Sequence, residues 1–170
     1  AGARAISVLT DRNFAGSDQD LAEAFNIVTI PLLRKDFIID EYQIIEARSI
    51  GASAILLIAS VLSKEQVKNF SAAAKRLGLD VLFEIHKKEE LEKLSDDIRV
   101  IGINNRNLES FEVNIQNSFD IGKMLPDQYL KVSESGLSDP DSLIKLHDAG
   151  FDAFLIGEGF MKSVEPGYEA

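Results

Sequence analysis

IGINNRNL (Ile101 to Leu108) and KVSESGL (Lys131 to Leu137) decide how this chain folds. In each, an apolar run breaks abruptly into polar, chemically useful residues. In an open or barrelled parallel sheet such a break marks the carboxyl end of a strand, where these folds keep their active sites. Working outward, the same punctuation occurs seven times. The runs are Ala5 to Leu9, Ile30 to Leu33, Ala54 to Ile58, Val81 to Phe83, Val100 to Ile103, Leu130 to Val132 and Ala153 to Ile156. They are continuously apolar rather than alternating, which predicts strands buried on both faces, hence a parallel sheet covered by helices.

Between the runs lie segments with helical spacing, such as Val67, Phe70, Ala74 and Leu77. Ser63 with Gln66 forms a candidate capping box and Ser138 with Asp141 an acidic variant, while Gly78 and Gly150 stand where a helix needs a left-handed stop. The beat of strand and helix repeats at roughly 20 to 30 residues, the size of a βα module. No Pro-, Gly- or Ser-rich linker interrupts it, so residues 1–170 read as one domain. A doubly wound open sheet usually announces its nucleotide site with G-x-G-x-x-G or G-x-x-x-x-G-K-[ST]; neither occurs, and Gly157-Glu158-Gly159 alone is weak evidence for one. A (β/α)8 TIM barrel needs eight strands in about 250 residues; seven are found here.

Composition narrows the function classes. Lys and Arg total 18 against 28 Asp and Glu, a formal charge of −10, which argues against a nucleic-acid or anionic-membrane surface. The chain has no cysteine, so disulfides and thiolate chemistry are excluded, and its two isolated histidines do not make a zinc site. No apolar stretch reaches the roughly 20 residues that span a bilayer. A soluble cytoplasmic protein without metal is expected.

The strand ends carry the chemistry. Lys35, Glu84, Asn104 and Glu134 follow four different apolar runs. If every strand points its carboxyl end to one rim, these side chains meet although far apart in sequence. A lysine beside carboxylates and an amide is a general acid and base set. The alternative is that they solvate loops. Ser135-Gly136 and Gly157-Glu158-Gly159 follow the last two runs, where barrels bind phosphate through backbone N–H groups; the glycines can equally serve tight turns.

Taken together, AISVLTD (Ala5 to Asp11) with Phe14 and Gly16-Ser17, PLLRKDFIIDEYQ (Pro31 to Gln43), FEIH (Phe83 to His86), GINNRNLESFEV (Gly102 to Val113), VSESGL and LIGEGFM (Leu155 to Met161) resemble the indole-3-glycerol phosphate synthase family, in order and spacing across essentially the whole chain. The resemblance implies a (β/α)8 barrel that closes a ring with loss of CO2, in tryptophan biosynthesis, with no cofactor. Its substrate would be a phosphorylated anthranilate sugar, 1-(2-carboxyphenylamino)-1-deoxyribulose 5-phosphate, and other enzymes of that pathway are possible partners. By the same resemblance Lys35 is the general acid, and Glu84 and Asn104 orient substrate and handle protons. Arg106 helps hold the anthranilate carboxylate, and Glu134 and Ser135 line the mouth. Phe14, Phe37 and Leu108 form the apolar wall around the ring, and Gly136, Gly157 and Glu158 fall where phosphate binds.

Departures from the family pattern accompany the matches. The family's helical extension, and its first strand with a Glu, a Lys and a Ser-Pro-Ser loop, are not in this sequence. The chain is therefore expected to supply barrel strands two to eight, an incomplete barrel truncated at both ends, with two open edges along the seam. Two other readings stand beside the lyase: a fragment that holds most of the site without turning over, and another phosphate-binding barrel enzyme such as a phosphoribosyl isomerase. His86 is read as structural or solvent-facing, with a hydrogen bond to substrate as the alternative, and His147 as part of a helix pattern. Lys87 to Lys93 reads as a solvated helix face.

Overall fold

A computed structural model describes residues 2–108, 110–162 and 164–165. Seven strands form one sheet in sequence order. They are β1 (Ile6–Leu9), β2 (Leu32–Lys35), β3 (Ala54–Ile58), β4 (Asp80–Ile85), β5 (Val100–Asn104), β6 (Leu130–Glu134) and β7 (Ala153–Leu155). Helices fall between them: α1 (Asp18–Ile27), α2 (Glu41–Ser49), α3 (Lys64–Arg76), α4 (Gln116–Gly122) and α5 (Pro140–Asp148), with a short α6 (Glu158–Met161) after β7. Short 3-10 turns occupy Arg12–Phe14 and Lys88–Lys93. The pairs β1–β2, β2–β3, β5–β6 and β6–β7 are parallel. This is the strand order of a (β/α)8 barrel represented by seven of its strands. Among the described residues β1 and β7 are the ends of the sheet, and neither has a buried residue, in contrast with the continuous burial of β3 and β5.

The chain divides into two compact units, one of residues 3–83 and 92–98, the other of 1–2, 84–91 and 99–170. In the first, α3 shows how sequence becomes packing. Val67, Phe70, Ala73 and Ala74 form its buried stripe, and the capping box of Ser63 and Gln66 starts it. Gly78, at φ +69°, ends it. In the second unit Ile101, Ile103, Ile121, Val132, Leu146 and Phe151 are buried together. Gly150, at φ +88°, stops α5 in the same manner.

Three expectations shift. The strands run through Lys35, Glu84, Asn104 and Glu134, β4 continuing to Ile85, so all four belong to strands rather than to the loops that follow. The cap of α5 is Asp139, not Ser138: its carboxylate accepts from the N–H groups of Asp141 and Ser142, and Pro140 occupies the first helical position, where a missing N–H is harmless. The Ser142 hydroxyl also donates to it, and these bonds hold the Asp139 carboxyl below the usual carboxylate range. Lys87 to Lys93 is also more than a solvated face. Glu90 accepts from the backbone N–H of His86 at 2.6 Å and of Lys87 at 3.1 Å. In the other unit Lys93 Nζ donates to the carbonyls of Ala59 and Leu62.

Candidate functional site

In the first unit the carboxyl ends of β1 and β2 lie side by side, Leu9 in register with Lys35, and the N–H of Thr10 donates to the Lys35 carbonyl at 3.2 Å. Successive strand side chains point to opposite faces, so Lys35 and Arg34 serve different layers. Arg34 is almost fully buried. Its Nη2 meets Asp18 of α1 at 2.8 Å, Glu46 of α2 at 2.9 Å and Asp36 at 3.2 Å; Nη1 donates to the Gln43 carbonyl, and Nε to Thr10 Oγ1. One guanidinium thus ties β1, α1 and α2 to the strand that carries Lys35. Three carboxylates share one cation there. Partial burial raises the Asp18 pKa; Arg34 pulls it down, while Glu46 and Asp36 push it further up.

Phe14 and Phe37 also come together in this unit. Their rings stack with centroids 6.5 Å apart at 21°, and both remain exposed, 59% and 39%. An exposed aromatic pair beside a strand-end lysine is an unsatisfied apolar surface suited to a flat ring. Both are held from below. The turn that carries Phe14 is pinned by Asp11, which accepts from Asn13 N, and by Gly16, where a Cβ would collide with the Leu9 carbonyl. The Phe37 N–H donates to Asp36 Oδ1, and its carbonyl accepts from Gln43 Nε2.

In the second unit Asn104 and Glu134 are register partners at the ends of β5 and β6. Glu84, Asn104 and Glu134 are only 2%, 9% and 1% exposed, which rules out loop solvation as their role. The Asn117 amide of α4 donates to the carbonyls of His86 (3.1 Å) and Asn104 (3.0 Å), joining the exits of β4 and β5. The His86 ring is buried with its Nε2 3.3 Å from Glu84 Oε1.

Asn105 is the organiser of this rim. Its Nδ2 donates to Ser133 Oγ and to the Ser135 carbonyl, both at 3.1 Å, and its Oδ1 accepts from the N–H and hydroxyl of Ser118. Ser135 and Gly136 follow with φ of +68° and +72°. A left-handed serine is strained, and the strain is held in place by the Asn105 amide. Gly136 is required on two counts: its φ, and the Val113 Cγ1 that a Cβ would strike. Val113 is brought there by an antiparallel bridge to Arg106.

The remaining sequence-derived residues lie in the same unit. Arg106 Nη2 donates to Glu158 Oε2 at 2.8 Å, and Lys162 Nζ to Glu158 Oε1 at 2.7 Å. The Lys162 hydrogen bond, with the Lys162 and Arg106 charges, keeps the Glu158 carboxyl below its ordinary range. Gly157 precedes α6 with open space around it, so neither packing nor a left-handed φ demands glycine there. Leu108 is half exposed in the loop after β5. Phe14, Phe37 and Lys35 thus belong to the first unit, and Glu84, Asn104, Arg106, Glu134, Ser135 and Gly136 to the second.

The fold is that of the parallel (β/α) barrel enzymes. Among solved structures, KGPDC from Streptococcus mutans aligns with a TM-score of 0.72 at 12% identity, covering 96% of this chain and 79% of its own. A mutant tryptophan synthase alpha-subunit from Pyrococcus furiosus aligns at 0.66 with 16% identity, covering 86% and 63%. At such identities the likeness shows the fold alone. Sequence goes further: the family profile described as indole-3-glycerol phosphate synthase matches residues 1–169. Indole-3-glycerol phosphate synthases from Bacteroides thetaiotaomicron and Koribacter versatilis are 50% and 48% identical over 168 residues, 98% of this chain. The chain belongs to the indole-3-glycerol phosphate synthase family. It spans 65% of the length of those two relatives.

Proposed function

We propose that this chain carries the family's decarboxylating ring closure, converting 1-(2-carboxyphenylamino)-1-deoxyribulose 5-phosphate into indole-3-glycerol phosphate, CO2 and water. The observation that carries the reading is the burial of three polar strand-end residues, Glu84, Asn104 and Glu134, in a chain whose fold holds its chemistry at strand carboxyl ends. Buried ionisable groups at the carboxyl ends of parallel strands are functional candidates.

In this reading the aromatic carbon that bears the carboxylate attacks the ketone carbon of the sugar. A carbon–carbon bond forms and the carbonyl electrons move to oxygen, which the Lys35 ammonium stabilises and protonates. The carboxylate leaves as CO2 and its bonding electrons restore the ring. The new hydroxyl then leaves as water while the adjacent methylene gives up a proton, a transfer assigned to Glu84 with Asn104 orienting the substrate. Phe14, Phe37 and Leu108 hold the anthranilate ring, and Arg106 binds its carboxylate, exchanging Glu158 for the substrate anion. The exits of β6 and β7, with Ser135, Gly136, Gly157 and Glu158, take the phosphate through backbone N–H groups, since the Glu158 carboxylate can only accept. Glu134 lines the same mouth. A cytoplasmic location and association with other enzymes of tryptophan synthesis belong to the same reading.

Turnover is tested with the purified chain and the carboxyphenylamino sugar phosphate, followed by indole fluorescence. Lys35→Ala is expected to lower kcat at least about 10²-fold, as loss of a general acid does. Lys87→Ala, an exposed lysine, is expected to be near neutral. Equal effects from the two would overturn the assignment of Lys35.

A further inference from the structure

His86 is the buried titratable group that the proposed mechanism leaves unused. Its backbone is fixed on both sides: Glu90 Oε2 accepts its N–H at 2.6 Å, and its carbonyl accepts from Asn117 Nδ2 at 3.1 Å. Its side chain is 7% exposed, and both ring nitrogens are buried without a hydrogen-bond partner among the described residues. A buried polar group of this kind is uncommon and marks either strain or function. Nε2 stands 3.3 Å from Glu84 Oε1, within charge-pair distance but out of hydrogen-bond alignment. Catalytic hydrogen bonds are often long in this way before substrate binds.

We propose that His86 is a positioning residue for Glu84, its imidazole backing the carboxylate and fixing which oxygen faces the substrate. The inference rests on the lyase reading for its place in the reaction, but the pairing itself stands on geometry. Two titratable groups are placed against His86: Glu84, from β4, at the ring, and Glu90, from the turn that follows, at the backbone N–H. Of these two, Glu84 is the one that meets the imidazole. The Asn117 amide, from α4, meets the carbonyl and is neutral. Rigid backbone on both sides, with the ring left to the carboxylate, is how an orienting residue is built.

The chain has two histidines, so imidazole nitrogen NMR resolves both, with His147→Gln as the assignment control. Replacing Glu84 by Gln keeps the shape and removes the charge. The expected result is a changed His86 tautomer ratio, read from its ring-nitrogen shifts, with His147 unmoved. A His86 signal identical in both proteins overturns the pairing. In turnover, His86→Gln is expected to lower kcat about tenfold with KM little changed and to move the acid limb of the kcat profile. An unchanged kcat and pH profile overturns the positioning role. Absence of turnover in the unsubstituted chain fails the lyase reading alone, and the NMR comparison then decides the pairing.

Discussion

Asn105 donates its amide N–H to the carbonyl of Ser135 across 3.1 Å, so the residue that leaves β5 fixes the residue that leaves β6. The same side chain also holds Ser118 and Ser133, and all three are buried. Asn105→Ala therefore removes four hydrogen bonds of this rim at once, although the hydroxyls of Ser118 and Ser133 keep each other at 2.7 Å. It is expected to destabilise the chain by about 2 kcal/mol or more, since each lost hydrogen bond contributes about 0.5–1.5 kcal/mol. Urea unfolding checks this: the midpoint should fall with an unchanged slope. A loss within a few tenths of a kcal/mol would show that Asn105 is not the organiser of the rim.

Gly136 is expected to tolerate alanine poorly. The substitution meets both a positive φ and the Val113 side chain, so a loss of at least about 1 kcal/mol is expected from the backbone alone. Combining Gly136→Ala with Val113→Ala separates the two effects. The double variant should recover the steric part relative to the sum of the single losses, and leave the conformational part. Simple additivity would mean that the Val113 contact relaxes freely.

Arg34 is expected to be irreplaceable by lysine. Its three nitrogens reach partners in five different directions, which a single ammonium cannot match. Removing the cation altogether, as in Arg34→Met, leaves Asp18, Asp36 and Glu46 facing one another. A loss of about 3–5 kcal/mol is expected, as for a broken buried ion pair. Thermal unfolding of both variants tests the order: Met below Lys, and Lys well below the unsubstituted chain. A lysine variant as stable as the parent would reduce the cluster to simple charge.

The sheet was legible because parallel strands buried on both faces leave seven apolar runs, and each run lies within or overlaps an observed strand. Strand ends were harder to place: Lys35, Glu84 and Glu134 are polar, so a hydropathy break falls before them although the backbone pairing continues. Phe14 and Phe37, 23 positions apart, stack on each other, a meeting that periodicity alone does not supply. Asn105 and Arg34 were missed for the same reason. Asn105 sits among three other polar residues, Asn104, Arg106 and Asn107, and nothing local shows which one turns inward. Arg34 carried a usable signal, a cation directly after an apolar run and one position before Lys35, and period-two alternation sends it to the helical layer rather than to the rim.

Asp18 gives the cluster around Arg34 a pH dependence of definite sign. Burial, opposed by Arg34 and reinforced by Glu46 and Asp36, raises its pKa above the ordinary 3.8. A carboxylate with a raised folded pKa binds its proton more tightly in the native state, so its contribution is present below 3.8 and lost as pH rises through the folded value. Asp18→Asn removes this group while keeping its shape. The stability of the Asn variant relative to the parent should therefore rise between pH 3.8 and neutrality and then level off, modestly, because the side chain is 43% exposed. Paired urea titrations across that range measure it. If the parent instead gains on the variant as pH rises, attraction to Arg34 outweighs burial and crowding, and Asp18 is a stabilising partner rather than the surplus charge of the cluster.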